Sequence, residues 1–328
     1  MLADDIGIVV IGRNEGKRLV SCLDSVKPET DKIVYVDSGS TDGSVAAAEE
    51  LGVSVIRLDM ALPFTAARAR NDGFAALKRH WPHVNYVQFL DGDCELIHGW
   101  LKIALAFIEK GKAVAIVCGR RRERHPEKSV YNRLCDLEWN TPVGEATACG
   151  GDSLIRVSAF EMVGGYQPQL IAGEEPEMCV RLRENGWKIW RLDTEMTNHD
   201  AAMMHFGQWW IRAVRSGYGY AQVAWIHRHS QFGIWRRDIR AAIIWGGLVP
   251  VIIILGAIIH PTLLSAALIY PFQICRMAFK RKPTSLESWI SALFIMLAQF
   301  AALRGILKFC WSRWRRRTVN LIEYKEAG

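Results

Sequence analysis

No C-x-x-C pair occurs in the chain. Its eight cysteines, Cys22, Cys94, Cys118, Cys135, Cys149, Cys179, Cys275 and Cys310, are scattered. That spacing speaks against a zinc site and gives no disulfide framework, so reduced cytosolic thiols are expected. The two common phosphate-binding loops are missing as well. No G-x-G-x-x-G follows the first apolar run, and no G-x-x-x-x-G-K-[ST] occurs. A phosphorylated ligand must then be met another way, and a carboxylate-held cation is the natural one. The opening Met-Leu-Ala-Asp-Asp has neither the basic start nor the apolar core of a secretory signal. The first domain is therefore expected to stay in the cytoplasm.

What is present is an apolar, basic chain. Of 328 residues, 50% are hydrophobic, and the formal net charge is +7. The basic clusters, Arg120 to Arg124 and several between Arg236 and Arg317, lie beside long apolar runs. That placement favours an anionic membrane surface over nucleic acid. The thirteen tryptophans concentrate in the second half, as at a membrane interface.

Short β-branched or apolar runs alternate with helical spacing through the first half. Strands are read at 6–11, 33–36, 53–58, 86–90, 113–118, 154–156 and 188–192, and helices at 17–26, 45–51, 64–78 and 100–110. The alternation predicts an α/β fold with a mostly parallel sheet and helices on both faces. Ligands of such sheets bind beyond the carboxyl ends of the strands. Glu15, Asp37, Asp42, Asp91 and Asp93 fall at those ends. Asp91-Gly92-Asp93 suits a hard divalent cation, since Mg²⁺ takes one or two carboxylates and shares the rest with phosphate and water. A polar turn closing the strand explains the same three residues. Glu174 and Glu175 open a helix, with Pro176 in its first turn, where acids also favour the helix dipole. His199 follows a strand within a polar cluster.

Taken in order, these pieces resemble the family 2 glycosyltransferases of the GT-A, Rossmann-like fold, over about residues 5 to 200. The resemblance is carried by Arg13-Asn14-Glu15, by Asp37 through Gly43, and by Arg70-Asn71-x-Gly73. Asp91-x-Asp93, Gly150-Gly151, Gly164-Gly165-Tyr166, and Gly173-Glu174-Glu175 with Arg181 and Gly186 complete it. It implies a nucleotide-diphospho-sugar donor, UDP being the family's commonest nucleotide with GDP and TDP open, and a cation, Mg²⁺ or Mn²⁺. It implies that Glu15 and Asp37 line the nucleoside pocket with Arg70 nearby. Asp91 would face the ribose or the cation, Asp93 would bind the cation, and His199 would be a further ligand. Inversion by a single displacement is implied. Glu175, in the place of the family's aspartate, is the candidate general base. It is one methylene longer, so either its helix sits further back or Glu174 shares the role. Asp152 after the glycine pair either caps a turn or faces the acceptor, and the turn is favoured. Gln208-Trp209-Trp210-x-Arg212 has the wrong order for the processive synthases of the family, so single addition is expected. Trp209, Trp210 and Arg212 either border the acceptor or lie on an interfacial helix.

Residues 1–235 are read as the catalytic domain and 236–328 as a membrane region. A helical hairpin is expected over about 239–279. Its apolar runs at 241–259 and 262–279 are long enough to span, and its basic flanks keep both ends in the cytoplasm. An interfacial or third membrane helix is expected at about 286–311. Together these predict an enzyme of the plasma (inner) membrane acting on a lipid-linked or cell-surface glycan. A catalytically inactive scaffold of this fold and a nucleotidyltransferase are the alternatives.

Overall fold

The structure is a computed structural model and describes residues 5–281 and 283–315. Two compact units divide at Met204/His205. The first holds strands β1 (Ile6–Gly12), β2 (Ile33–Asp37), β3 (Ser54–Arg57), β4 (Tyr86–Asp91), β5 (Cys94–Leu96), β6 (Val114–Glu123), β7 (Gly144–Ala146), β8 (Ser153–Arg156) and β9 (Lys188–His199). Its helices are α1 (Lys17–Val26), α2 (Ser44–Glu50), α3 (Ala66–His80), α4 (Trp100–Lys110), α5 (Val130–Glu138), α6 (Val157–Met162) and α7 (Glu174–Glu184).

These strands form one sheet in the order β3-β2-β1-β4-β8-β6-β9-β5, with β7 also on β9. The frame is parallel: β1 lies between β2 and β4, β2 pairs with β3, and β6 pairs with β9. β1 is buried along nearly its whole length, which is why its sequence is continuously apolar rather than alternating. Its register brings Gly12 opposite Asp37 and Ile11 opposite Asp91. Two acids from different strands thus flank the carboxyl end of the central strand.

Some of the sheet departs from the expected pattern. β8 runs antiparallel to both β4 and β6, and β5 and β7 run antiparallel to β9. β5 and β7 have three residues each, too few for any periodicity to register. β9 continues past Leu192 to His199. The Arg120–Arg124 cluster is not a membrane-facing patch. It is the end of β6, where Arg120 and Arg122 pair with Asp136, Arg121 with Asp152, and Arg124 with Glu95.

In the second unit, α8 (Phe206–Ile226) is followed by α9 (Arg236–Ile243), which passes through a π-turn at Ile244–Leu248 into α10 (Val249–Ile259). A 3₁₀ segment at Pro261–Leu268 leads into α11 (Ile269–Lys280), and α12 (Leu286–Trp314) ends the described chain. Among the described residues, three helical stretches are long and apolar enough to cross a membrane: Arg236–Ile259, Pro261–Lys280 and Leu286–Trp314. The last is one continuous helix of 29 residues, despite Gln299, Arg304 and Lys308. Of the basic flanks read from the sequence, Lys282, Arg316 and Arg317 lie outside the described residues.

α8 belongs with these helices, so the compact unit begins upstream of the expected 235/236 boundary. A Cβ on Gly217 would lie 2.2 Å from the Ala302 carbonyl oxygen, and one on Gly305 would lie 2.1 Å from that of Val214. Only glycine permits so close a backbone approach, a packing typical of membrane helices. Trp209 of α8 is buried, edge-on to Phe294 of α12 at 4.9 Å.

α3 seats itself on the sheet through Gly73. A Cβ there would lie 2.4 Å from Val9 Cγ1 and 2.7 Å from Val36 Cγ2. Gly73→Ala is therefore expected to destabilise the α/β unit by about 1–3 kcal/mol through overpacking. Chemical denaturation followed by tryptophan fluorescence checks this.

Candidate active site

The loop after β1 is tied to the loop after β2. Asn14 takes a positive φ of 54°. Its backbone N–H donates to Ser40 Oγ at 2.9 Å, and its Oδ1 accepts from the Thr41 N–H at 2.8 Å. Asp37 is buried. Its Oδ2 accepts from the N–H groups of Gly39 and Ser40, each at 3.0 Å, and its Oδ1 accepts from the Tyr35 hydroxyl at 3.1 Å. Glu15, also buried, pairs with Arg18 at 2.7 Å. Both acids are held in place by the loops they serve.

Arg70 is the hub of the next layer. Its side chain is 3% exposed and bridges Asp91 at 2.7 Å and Glu174 at 2.8 Å, above the Tyr166 ring. Burial alone would lower the pKa of this guanidinium. The carboxylates of Asp91 and Glu174 outweigh that and hold it charged. A Cβ on Gly151 would meet Arg70 Nη2 at 2.7 Å and Asp91 Oδ2 at 2.9 Å, so the glycine pair makes room for this bridge.

Asp152 is fully buried and neither caps its own turn nor faces solvent. Its Oδ1 accepts from the Asp91 N–H at 3.1 Å. Its Oδ2 accepts from the Thr197 hydroxyl at 3.0 Å and pairs with Arg121 at 2.8 Å. The favoured turn reading fails because β8 starts at once, turning residue 152 inward between β4 and β9. Burial pushes the Arg121 pKa down, but the Asp152 carboxylate prevails and keeps it protonated. Arg121 also lies over the Trp139 ring, whose edge meets His199. Sequence reading missed Arg121, Trp139 and the inward role of Asp152.

Asp93 and His199 meet because β5 pairs with β9, Cys94 opposite His199. The Asp200 N–H donates to the Asp93 carbonyl at 3.0 Å, which extends the pairing to the acid itself. Asp93 Oδ2 lies 3.2 Å from His199 Nε2, both side chains being buried. Two neighbouring ligands on an octahedral ion at about 2.1 Å stand about 3.0 Å apart. An imidazole beside a carboxylate suits Mn²⁺ as well as Mg²⁺. His199 Nδ1 is buried without a hydrogen-bond partner among the described residues, so no protein group holds that nitrogen. The residues fit a divalent cation.

Glu175 and Glu174 separate in role. Glu174 is the Arg70 partner. Glu175 is buried, with Oε1 accepting from the Cys149 N–H at 2.6 Å. The two helix-opening acids thus point to different neighbours. Below them, Asn71 exchanges bonds with Tyr166, accepting from its N–H at 2.9 Å and donating to its carbonyl at 2.7 Å. Arg181 binds both Glu177 oxygens and the carbonyls of Val163 and Gly165. Asn71 and Arg181 therefore latch the Gly164-Gly165 turn, and belong to the scaffold.

Comparison with known proteins bears on the fold that carries these residues. Residues 7–162, just under half of the chain, match the family model "Glycosyl transferase family 2". It is 25% identical over 204 residues to the O-antigen chain rhamnosyltransferase RfbN of Salmonella typhimurium, covering 56% of this chain and 62% of that one. It is 25% identical over 211 residues to the succinoglycan biosynthesis protein ExoA of Rhizobium meliloti, covering 60% and 64%. The chain thus spans less than two thirds of either relative. The mannosyltransferase PcManGT of Pyrobaculum calidifontis, solved with GDP-Man and Mn²⁺, superposes with a TM-score of 0.64 over 94% of this chain and 88% of that one, at 14% identity. The fold is that of the GT-A glycosyltransferases, and the chain is similar to proteins of polysaccharide biosynthesis.

Removing Asp152 would leave Arg121 buried without its principal counter-charge. Asp152→Ala is expected to lose about 3–5 kcal/mol of stability. Denaturant titration checks the loss.

Proposed function

We propose that the chain is a membrane-bound, inverting glycosyltransferase that moves a sugar from a nucleotide-diphospho-sugar to a lipid-linked or cell-surface glycan. The observation that carries this reading is the buried Asp93–His199 pair at the carboxyl edge of the sheet, beside the Arg70–Asp91 bridge. A base of matching chemistry, Glu175, stands at the start of α7.

Glu15 and Asp37 would accept hydrogen bonds from the nucleoside of the donor, UDP first among the nucleotides. Asp91, fixed by Arg70, would present its exposed edge to the ribose or to the cation. Asp93 and His199 would hold Mg²⁺ or Mn²⁺. When bound, the cation stabilises charge on the departing diphosphate without proton transfer. Glu175 would take the proton of the acceptor hydroxyl as its oxygen bonds to the anomeric carbon and the bond to the diphosphate breaks. The Cys149 N–H holds one Glu175 oxygen, which leaves the other to face the acceptor. Glu174, spent on Arg70, positions rather than reacts.

The three membrane-competent helices support a lipid-borne acceptor. Arg236, Arg237 and Arg240 at one end of the hairpin and Lys280 and Arg281 at the other favour both ends in the cytoplasm, where nucleotide sugars are made. An interfacial helix is apolar on one side. α12 buries Ala292, Met296, Ala301 and Ile306 and exposes Leu293, Ile295 and Leu307, so it is apolar all round. That favours a third span, with Arg304 and Lys308 in its last third, where long side chains reach the interface.

A donor screen with a lipid extract, reading nucleoside diphosphate release, tests the function. Asp93→Ala should abolish release together with donor binding. Glu175→Gln should keep donor binding and slow turnover by about 10²–10⁴-fold. A chain that neither binds nor turns over any nucleotide sugar with Mg²⁺ or Mn²⁺ would sink the reading.

A further inference from the structure

The sulfurs of Cys149 and Cys179 meet inside the candidate site, 3.8 Å apart and thirty residues apart in sequence. No spacing motif announces them, because the turn before β8 and helix α7 bring them together. Cys179 Sγ also stands 3.5 Å from Glu175 Oε1. The two residues are one helical turn apart on α7, so they share a face. A carboxylate oxygen of Glu175 and both sulfurs lie within 4.8 Å of one another. Both cysteines are free thiols, and Cys149 is half-buried, which leaves a way in.

These separations can be set against a metal's requirements. A tetrahedral zinc ion with Zn–S of about 2.3 Å and Zn–O of about 2.1 Å holds two sulfurs about 3.8 Å apart, and a sulfur and an oxygen about 3.6 Å apart. The contacts of 3.8 and 3.5 Å match the sulfur–sulfur edge and the Cys179–Glu175 edge. Sulfur ligands select thiophilic ions, whereas Mg²⁺ takes oxygen. The Asp93–His199 pair and the sulfur pair therefore sort different cations.

We propose that Cys149, Cys179 and Glu175 form a three-ligand site for a thiophilic divalent cation, Zn²⁺ foremost, with water in the fourth position. Binding turns the two thiols into thiolates and releases their protons to solvent. It also engages the Glu175 carboxylate, so a filled site is an inhibited enzyme. The binding claim stands on the sulfur geometry; the inhibition rests on the reading of Glu175 as the base.

The test uses the full chain in detergent under saturating Mg²⁺, with Cd²⁺ as probe. One equivalent should produce a thiolate-to-cadmium charge-transfer absorption, and Zn²⁺ should displace it. The Cys149→Ser/Cys179→Ser double variant should lose the band, and Cys94→Ser, beside Asp93 and His199, should keep it. Glu175→Gln should weaken binding by at least the roughly 10–100-fold that loss of an outer-shell partner brings. No band, a band that survives the double variant, or one lost in Cys94→Ser would overturn the site. Because the double variant could fail to fold, the unaltered chain supplies a second measurement. Zn²⁺ at ten times its dissociation constant should slow alkylation of Cys149 and Cys179, mapped by mass spectrometry, by roughly tenfold; unchanged rates overturn the proposal. Nucleoside diphosphate release then tests the consequence separately. Full activity with the site filled overturns the inhibition and leaves the binding standing.

Discussion

Arg70 between Asp91 and Glu174 is the contact on which the candidate site depends. It joins three elements that sequence keeps far apart: α3, the end of β4 and the start of α7. A buried guanidinium is expensive to desolvate, and one carboxylate seldom offsets that expense. Two carboxylates, both partly open to solvent, lighten it, and the planar fork of arginine can hold both at once. A lysine would offer a single ammonium point in place of that fork. The same logic repeats one strand over, where Asp152 gathers Arg121, Thr197 and the backbone of Asp91. Asp91 is thus fixed from both its side chain and its amide.

That arrangement divides the two acids of the Asp91-Gly92-Asp93 turn. Asp91 is largely committed to the scaffold, through Arg70 and with Arg121 at 3.8 Å. Asp93 faces His199 across the β5–β9 ladder. A substitution at Asp91 therefore disturbs the scaffold as well as the candidate site. The glycine between them keeps the turn tight. A Cβ on Gly92 would approach the Ile11 carbonyl to 3.1 Å, and that carbonyl already accepts the Gly92 N–H at 2.8 Å.

The centre of the parallel frame was legible because β1, β2 and β4 are buried on both faces and so read as nearly unbroken apolar runs. β5, β7 and the far half of β9 were not. Two are too short for a pattern, and the third mixes buried and exposed positions. The candidate residues Glu15, Asp91, Asp93 and Glu174 stand out in the sequence because each adjoins a glycine beside a strand or helix end. What the sequence could not show was pairing. Nothing in the run Gly119 to Arg124 marks Arg121 as the one that turns inward to Asp152, since Arg120, Arg122 and Arg124 carry the same charge. Nor does the spacing of Glu174 and Glu175 say which takes the arginine. Those distinctions arise from contacts twenty to a hundred residues apart, as with Arg70 and Glu174 at a separation of 104.

The length of Glu175 follows from the same packing. Its carboxylate must reach the Cys149 N–H while α7 is anchored behind it, since Arg181 on that helix grips Glu177 and the Gly164-Gly165 turn. Glu174 on the same turn is drawn to Arg70, which limits how far α7 can advance. A shorter acid at 175 would leave the Cys149 N–H without this carboxylate. The extra methylene is thus the span between an anchored helix and a fixed turn. It also places the carboxylate beside two sulfurs that a shorter side chain would not meet.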